Sequence, residues 1–225
     1  MRPVASEGLA KPGPDCPLCG RLVAFRQANR GQFPQWHNAP VPSFGPLEAP
    51  ILVVGLAPGL KGANRTGRPF TGDHAGVLLY QTLLRFGLAH GAYLAEPADG
   101  LTPTGCRITN AVRCVPPANQ PVPSEVATCN RFLLAELAGM PRLRAVLALG
   151  VLAHNAVLRA TGVRPAHLRF RHGAIHALPD GLLLADSYHV SRYNTNTGLL
   201  TQEMFEATVR ALLERLDAPA RLAVL

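Results

Sequence analysis

Four consecutive apolar residues, Ile51-Leu52-Val53-Val54, run straight into Gly55 and then into a polar, glycine-rich stretch ending at Asp73, GLAPGLKGANRTGRPFTGD. An apolar run this short, rich in β-branched residues and stopped by Gly and Pro, reads as a strand buried on both faces. Strands of that kind belong to parallel sheets, and in an open α/β sheet ligands bind beyond the carboxyl ends of the strands. The polar connection therefore falls where chemistry is done, and it presents Asn64, Arg65, Thr66, Arg68, Phe70 and Asp73. A plain surface connection is the competing reading, although long structureless loops are uncommon in compact domains unless they are functional.

The rest of the chain repeats the pattern. Arg107 to Val112, Arg144 to Gly150 and Leu182 to Ala185 read as three further strands, the last ending at the polar Asp186-Ser187-Tyr188-His189. Helical spacing of apolar residues predicts helices over 75–88, 123–139, 151–161 and 201–216, the second opened by Pro123-Ser124-Glu125. The segment 169–178, with Gly173 at its centre, reads as a hairpin or an irregular excursion. Strands alternating with helices imply an α/β three-layer sandwich with a central, mostly parallel four-stranded sheet flanked by helices. With 225 residues, 48% of them hydrophobic, the chain suffices for one sizeable core. A single domain over 16–225 is expected, preceded by a flexible tail over 1–15 that carries Pro, Gly and charge without periodicity.

The formal charge of +8 favours a polyanionic partner. Only Lys11 and Lys61 are lysines, so the surplus also reflects heavy use of arginine. No long uninterrupted apolar stretch suggests a membrane span, and residues 1–16 lack the apolar centre of a secretory signal, so a cytoplasmic protein is expected. In a reducing compartment five cysteines are metal ligands or core thiols rather than a disulfide framework. Cys16-Pro-Leu-Cys19 has the spacing that lets two thiolates reach one metal centre, and Cys114 and Cys129 form a second pair across a Pro-rich turn. Four thiolates suit zinc or an iron-sulfur cluster, and unrelated buried thiols are the bland reading. Cys106 is the odd one out.

Taken in order, CPLC, GLAPG with NRTGRPFTGD, TNAVRCVPPANQPVPSEVATC and HVSRYNTNTG form a pattern that resembles the iron-sulfur uracil-DNA glycosylases, most closely family 5 or type b. The resemblance covers the chain from Cys16 to about Arg210. It implies a 4Fe-4S cluster held by Cys16, Cys19, Cys114 and Cys129, with zinc as the alternative, and it matches Cys106 to no ligand. It also implies a monomeric DNA-repair enzyme that removes uracil from DNA, particularly double-stranded DNA, and that extends to bases such as hypoxanthine and etheno-cytosine.

Such an enzyme flips the base, grips it and hydrolyses its bond to the sugar. By resemblance, Phe70 stacks on the flipped base, Asn110 reads the pyrimidine edge, and both join Gly55, Ala57 and His189 in a base-binding set. A core Phe and a turn-capping Asn are the structural alternatives. His189 follows the fourth strand, where an imidazole N–H would stabilise negative charge developing on the base O2. Ala57 occupies the position at which most of the superfamily carries a water-orienting carboxylate or amide, and the family 5 pattern shares this apolar residue. Asp73 is the best remaining carboxylate for water, with a helix N-cap as its other role, and Asn194 or Asn196 also suit that task. The loop Ser191 to Gly198 resembles the segment that enters the minor groove. Arg65, Arg68, Arg113 and Arg192, with Ser191 and Asn196, are the expected DNA contacts. No lysine lies in the four quoted segments, which disfavours Schiff-base chemistry and favours a monofunctional hydrolase. Two readings from other classes stand beside this one: a non-catalytic iron-sulfur or zinc module that binds damaged DNA, and a four-cysteine zinc protein acting on another phosphate-bearing ligand.

Overall fold

The structure is a computed structural model and describes residues 10–218. In chain order its elements are α1 (Gly20–Gln32), β1 (Ile51–Gly55), α2 (Ala63–Thr66), α3 (His74–Arg85), β2 (Ala89–His90), β3 (Thr102–Pro103), β4 (Cys106–Asn110), α4 (Pro123–Ala138), β5 (Ala145–Leu149), α5 (Val151–Ala160), β6 (Ile175–Ala177), β7 (Leu183–Ser187), α6 (Arg192–Asn196) and α7 (Gln202–Asp217). The main sheet has the order β4-β1-β5-β7-β6. Its first four strands are parallel neighbours, as the apolar runs predict, and β6 is antiparallel to β7. The central four strands are thus supplemented by a fifth at the edge, built from the excursion at 169–178.

Alternation along β1 creates the three layers. Ile51 and Val53 join one core with Leu79, Leu83, Phe205 and Val209 of α3 and α7. Leu52 and Val54 face the other, with Leu133 of α4, Ala153 and Val157 of α5, and Leu22 of α1. Both faces of the sheet are covered, which is why its central strands are apolar at every position. Helix α1 escapes the apolar-periodicity reading because the residues it buries are Leu22, Arg26 and Asn29, two of them polar. No helix among the described residues is long and apolar enough to cross a membrane.

Of the expected tail, residues 1–9 lie outside the described residues, whereas Pro14 and Asp15 accept hydrogen bonds from Arg30 of α1 at 3.2 and 2.6 Å. Residues 219–225 are likewise outside the described part. The parallel register sets Gly55 opposite Asn110, so the loops after β1 and β4 leave the sheet at one level. The residues following β7 emerge at that same carboxyl edge.

Candidate active site

A cavity of about 610 Å³ opens at this edge, lined among others by Ala57, Phe70, Asp73, Asn110, His189, Ser191 and Arg192. Phe70 is 7% exposed and has a positive φ of 51°, a backbone state that bulky residues seldom adopt. The turn is held from behind, with Tyr93 Oη donating to the Phe70 carbonyl at 3.1 Å and Tyr80 Oη donating to that of Pro69. Gly55 is required beneath it, because a Cβ there would collide with both the Phe70 ring and Asn110 Oδ1. The base-stacking ring and the amide are thereby brought together over the bare end of β1. Asn110 Oδ1 is buried and has no hydrogen-bond partner.

Asp73 precedes α3, and the loop folds around its carboxylate, so a Cβ at Gly59 would lie 2.8 Å from Oδ2 and one at Gly62 would overlap it. Oδ1 is buried without a partner. Burial raises the Asp73 pKa, and the backbone N–H groups of Ala75 and Gly76 oppose that shift without cancelling it. No side-chain oxygen makes a well-formed capping hydrogen bond, so the N-cap position is occupied with little of the usual capping interaction. Across the cavity the His189 ring lies 6.2 Å from that of Phe70. Burial lowers the His189 pKa, which favours a neutral imidazole with one N–H to donate.

The sequence from residue 42 to residue 213 matches the family described as the Uracil DNA glycosylase superfamily. The chain is 49% identical over 197 residues to a type-5 uracil-DNA glycosylase of Thermus thermophilus, covering 84% of this chain and 89% of that protein. It is 41% identical to one of Mycobacterium bovis, over 87% of this chain and 76% of the relative. With one of Pyrobaculum aerophilum it shares 40% identity, over 87% of each chain. The chain belongs to the type-5 uracil-DNA glycosylases.

In this type-5 family member the four cysteines of the two pairs line one small cavity together with Leu22 and Arg26. Among the described residues no three cysteine sulfurs lie within 4.8 Å of one another. Burial pushes the Cys114 and Cys129 thiols up to about 12 and about 11, so a bound cation is needed to make them thiolates. Donors already point at the sulfurs: Arg26 Nη1 lies 3.8 Å from Cys114 Sγ, and the Arg113 N–H donates to Cys129 Sγ at 3.4 Å. Cys106 is buried elsewhere, against the Leu88 carbonyl.

Several expected site residues are placed differently. Arg68 does not face DNA phosphate. It is 6% exposed, bound to both oxygens of Asp99 at 2.8 and 2.7 Å, and lies over the rings of Phe44, Tyr80 and Tyr93. Arg113 is likewise buried, on Glu136 and Ser43. Arg65 stays outside the cavity, donating to the Lys61 carbonyl and lying 3.6 Å from Glu96. Of the four arginines, Arg192 alone lines the cavity. Asn194 does not line the cavity; its Nδ2 donates to the His189 carbonyl at 2.8 Å, and its N–H is capped by Ser191 Oγ. Asn196 is exposed and outside the lining.

Three polar lining residues were not among the expected site residues: Lys61, His74 and Asn119. Lys61 falls between two quoted motifs, so the absence of lysine from those motifs does not extend to the cavity. His74 Nε2 meets Thr195 Oγ1 at 3.0 Å and ties α3 to the α6 loop. Asn119 Oδ1 accepts the Leu60 N–H at 3.0 Å. Its positive φ of 56° suits Asn, and the available sequence signal was an Asn within the Pro-rich turn PPANQP.

Proposed function

We propose that this protein hydrolyses the N-glycosidic bond of uracil in DNA and leaves an abasic site. The observation that carries the reading is a pair of partnerless buried oxygens, Asp73 Oδ1 and Asn110 Oδ1, in one cavity whose wall is the ring of Phe70. Buried acceptors without donors are costly unless a ligand supplies them. A flipped uracil lies against Phe70 and donates its N3–H to Asn110 Oδ1, while the amide N–H donates to the base carbonyl. Neutral His189 donates to O2 as the bond to the sugar lengthens. Asp73 orients water toward the anomeric carbon and stabilises its positive charge.

Double-stranded DNA is the preferred form, since the exposed α6 loop, with Tyr193 73% exposed, projects beside the cavity as a wedge would. Ala57 adds no polar group to the roughly 610 Å³ cavity, which leaves room for larger damaged bases such as hypoxanthine and etheno-cytosine. The protein acts as a monomer. Cys16, Cys19, Cys114 and Cys129, which line one small cavity, hold a 4Fe-4S cluster, and that cluster would link α1, α4 and the segment after β4. Broad visible absorption that disappears in Cys16→Ser would test it, whereas a colourless zinc-bearing protein would count against it.

Uracil release from a duplex by purified protein tests the activity, with Asn110→Ala and His189→Ala beside the parent. Full activity in both variants would sink the proposed site. Because Lys61 lines the cavity, borohydride trapping on abasic DNA is the control for lyase chemistry, and hydrolysis predicts no trapped adduct.

A further inference from the structure

The segment between α5 and β6 contains Arg169-Phe170-Arg171, and its exposure alternates. Phe170 is turned inward, 5.8 Å edge-on from the His154 ring and 6.1 Å from Tyr188. Arg169 and Arg171 on either side are exposed, and neither guanidinium meets a carboxylate among the described residues. An aromatic anchor flanked by two free cations is a presented surface rather than an internal ion pair.

What holds this segment is a buried clamp centred on Asp186. Its Oδ1 faces His154 Nδ1 at 2.7 Å, and its Oδ2 accepts from His176 Nε2 at 3.0 Å and from the Arg171 N–H at 3.2 Å. The Asp186 carbonyl accepts from Gly173 N at 2.8 Å, and Tyr188 N donates to His172 Nδ1 at 3.1 Å beneath stacked rings. These three acidic and imidazole groups lie close enough to suggest a metal site. The hydrogen bonds argue otherwise. The second nitrogen of His154 faces the Leu168 carbonyl at 2.9 Å, so both ring nitrogens point at acceptors and no lone pair is left for a metal. Burial works against charge on His154, but Asp186 and the Leu168 carbonyl outweigh it and raise the pKa.

Topology directs the presented side. Strand β6 runs antiparallel to β7 with Ile175 opposite Ala185, so residues 169–172 lie past the carboxyl end of β7. That is the edge carrying Asn110, Ala57 and His189. With strands ~4.8 Å apart, β6 stands one spacing from β7, three from β1 and four from β4, ~5–19 Å from the residues that hold the base, or about five to six base steps of 3.4 Å at most.

We propose that Arg169 and Arg171 form a second phosphate-binding surface, held by the Asp186 clamp, that grips the duplex beside the flipped nucleotide. It rests on the reading of the substrate as DNA, and it assigns these two residues to phosphate rather than base edges.

The test is the salt dependence of binding to a uracil-containing duplex, in an Asp73→Asn background that slows turnover. Arg169→Gln/Arg171→Gln should flatten the slope of log K against log salt by about 0.9 per lost contact, about 1.8 for the pair, and weaken binding at low salt at least ~10-fold. Arg169→Lys/Arg171→Lys should retain most of the slope, which separates charge from folding. Arg142→Gln/Arg215→Gln, which removes the same charge from the opposite edge of the sheet, should leave it unchanged. Asp186→Asn, with both arginines present, should show a partial loss. An unchanged slope and affinity in the 169/171 glutamine pair overturns the proposal, as does an equal loss in the 142/215 pair. Absence of uracil release by the parent with a slope that still responds to 169/171 would refute the proposed activity and leave the surface standing. Normal release with no response would do the reverse.

Discussion

Phe70 separates two aspartates, each with a buried carboxylate oxygen, that share a fold and little else. Behind the ring, Asp99 accepts two bonds from Arg68 and further bonds from the N–H groups of Leu94 and Leu101, so every side of the carboxylate is occupied. The Arg68 pairing holds its pKa well below the ordinary carboxylate range. In front of the ring, Asp73 has no cation on either oxygen, one oxygen with no partner at all, and a pKa raised by burial. Asp99 is part of the structure that fixes the Phe70 turn, whereas Asp73 carries the partnerless oxygen on which the proposed function rests. Partnering, more than burial, separates structural from functional charge in this molecule.

The comparison can be broken most forcefully at Asp73. Asp73→Asn keeps the shape and an N-cap-competent side chain, and it should lower single-turnover uracil release by ~10²–10⁴-fold. Because a raised folded-state pKa means that ionised Asp73 destabilises the fold above its ordinary pKa, the same variant should melt at the parent temperature or higher at neutral pH. Asp99→Ala should do the opposite, costing about 3–5 kcal/mol in urea unfolding because Arg68 is left buried and unpaired, and Arg68→Met/Asp99→Ala should cost less than that single change. The Asp99 contribution is present above its unfolded pKa and is lost as pH falls through the depressed folded value. Asn110→Ala should slow uracil release by roughly 10–100-fold, about 1.4–2.7 kcal/mol, with little change in stability because Oδ1 has no protein partner to lose. The smallest effect is expected of Arg192→Ala, which should reduce the salt slope of DNA binding by about 0.9 and weaken affinity a few-fold.

The parallel strands were legible because a strand buried on both faces must be apolar throughout, and runs such as Ile51-Leu52-Val53-Val54 have no other stable use. The cavity residues Phe70, Asp73, Asn110 and His189 were legible from strand ends together with the family resemblance, and all four line one cavity. The arginines were not. A loop arginine reads as a surface cation, and nothing local reveals that Arg68 has Asp99 waiting across 31 positions or that Arg113 has Glu136. The bond from Asn194 Nδ2 to the His189 backbone was hidden for a related reason, since it exists only once the α6 turn forms. Edge strand β6 is only three residues long and depends on the clamp at Asp186, so its own sequence carries little strand signal.

The proposed chemistry requires Asp73 to be an ionised, ligand-completed carboxylate, and the pH dependence of single-turnover uracil release from duplex DNA measures that state. Burial raises the Asp73 pKa and lowers that of His189, and the Asp73→Asn variant shows which of the two sets the acid limb. The rate should rise with pH through an apparent pKa above the ordinary aspartate value, and the limb should vanish in Asp73→Asn, leaving a low, flat profile. An acid limb that persists in Asp73→Asn, or a parent rate that stays flat to below the ordinary aspartate pKa, would contradict it.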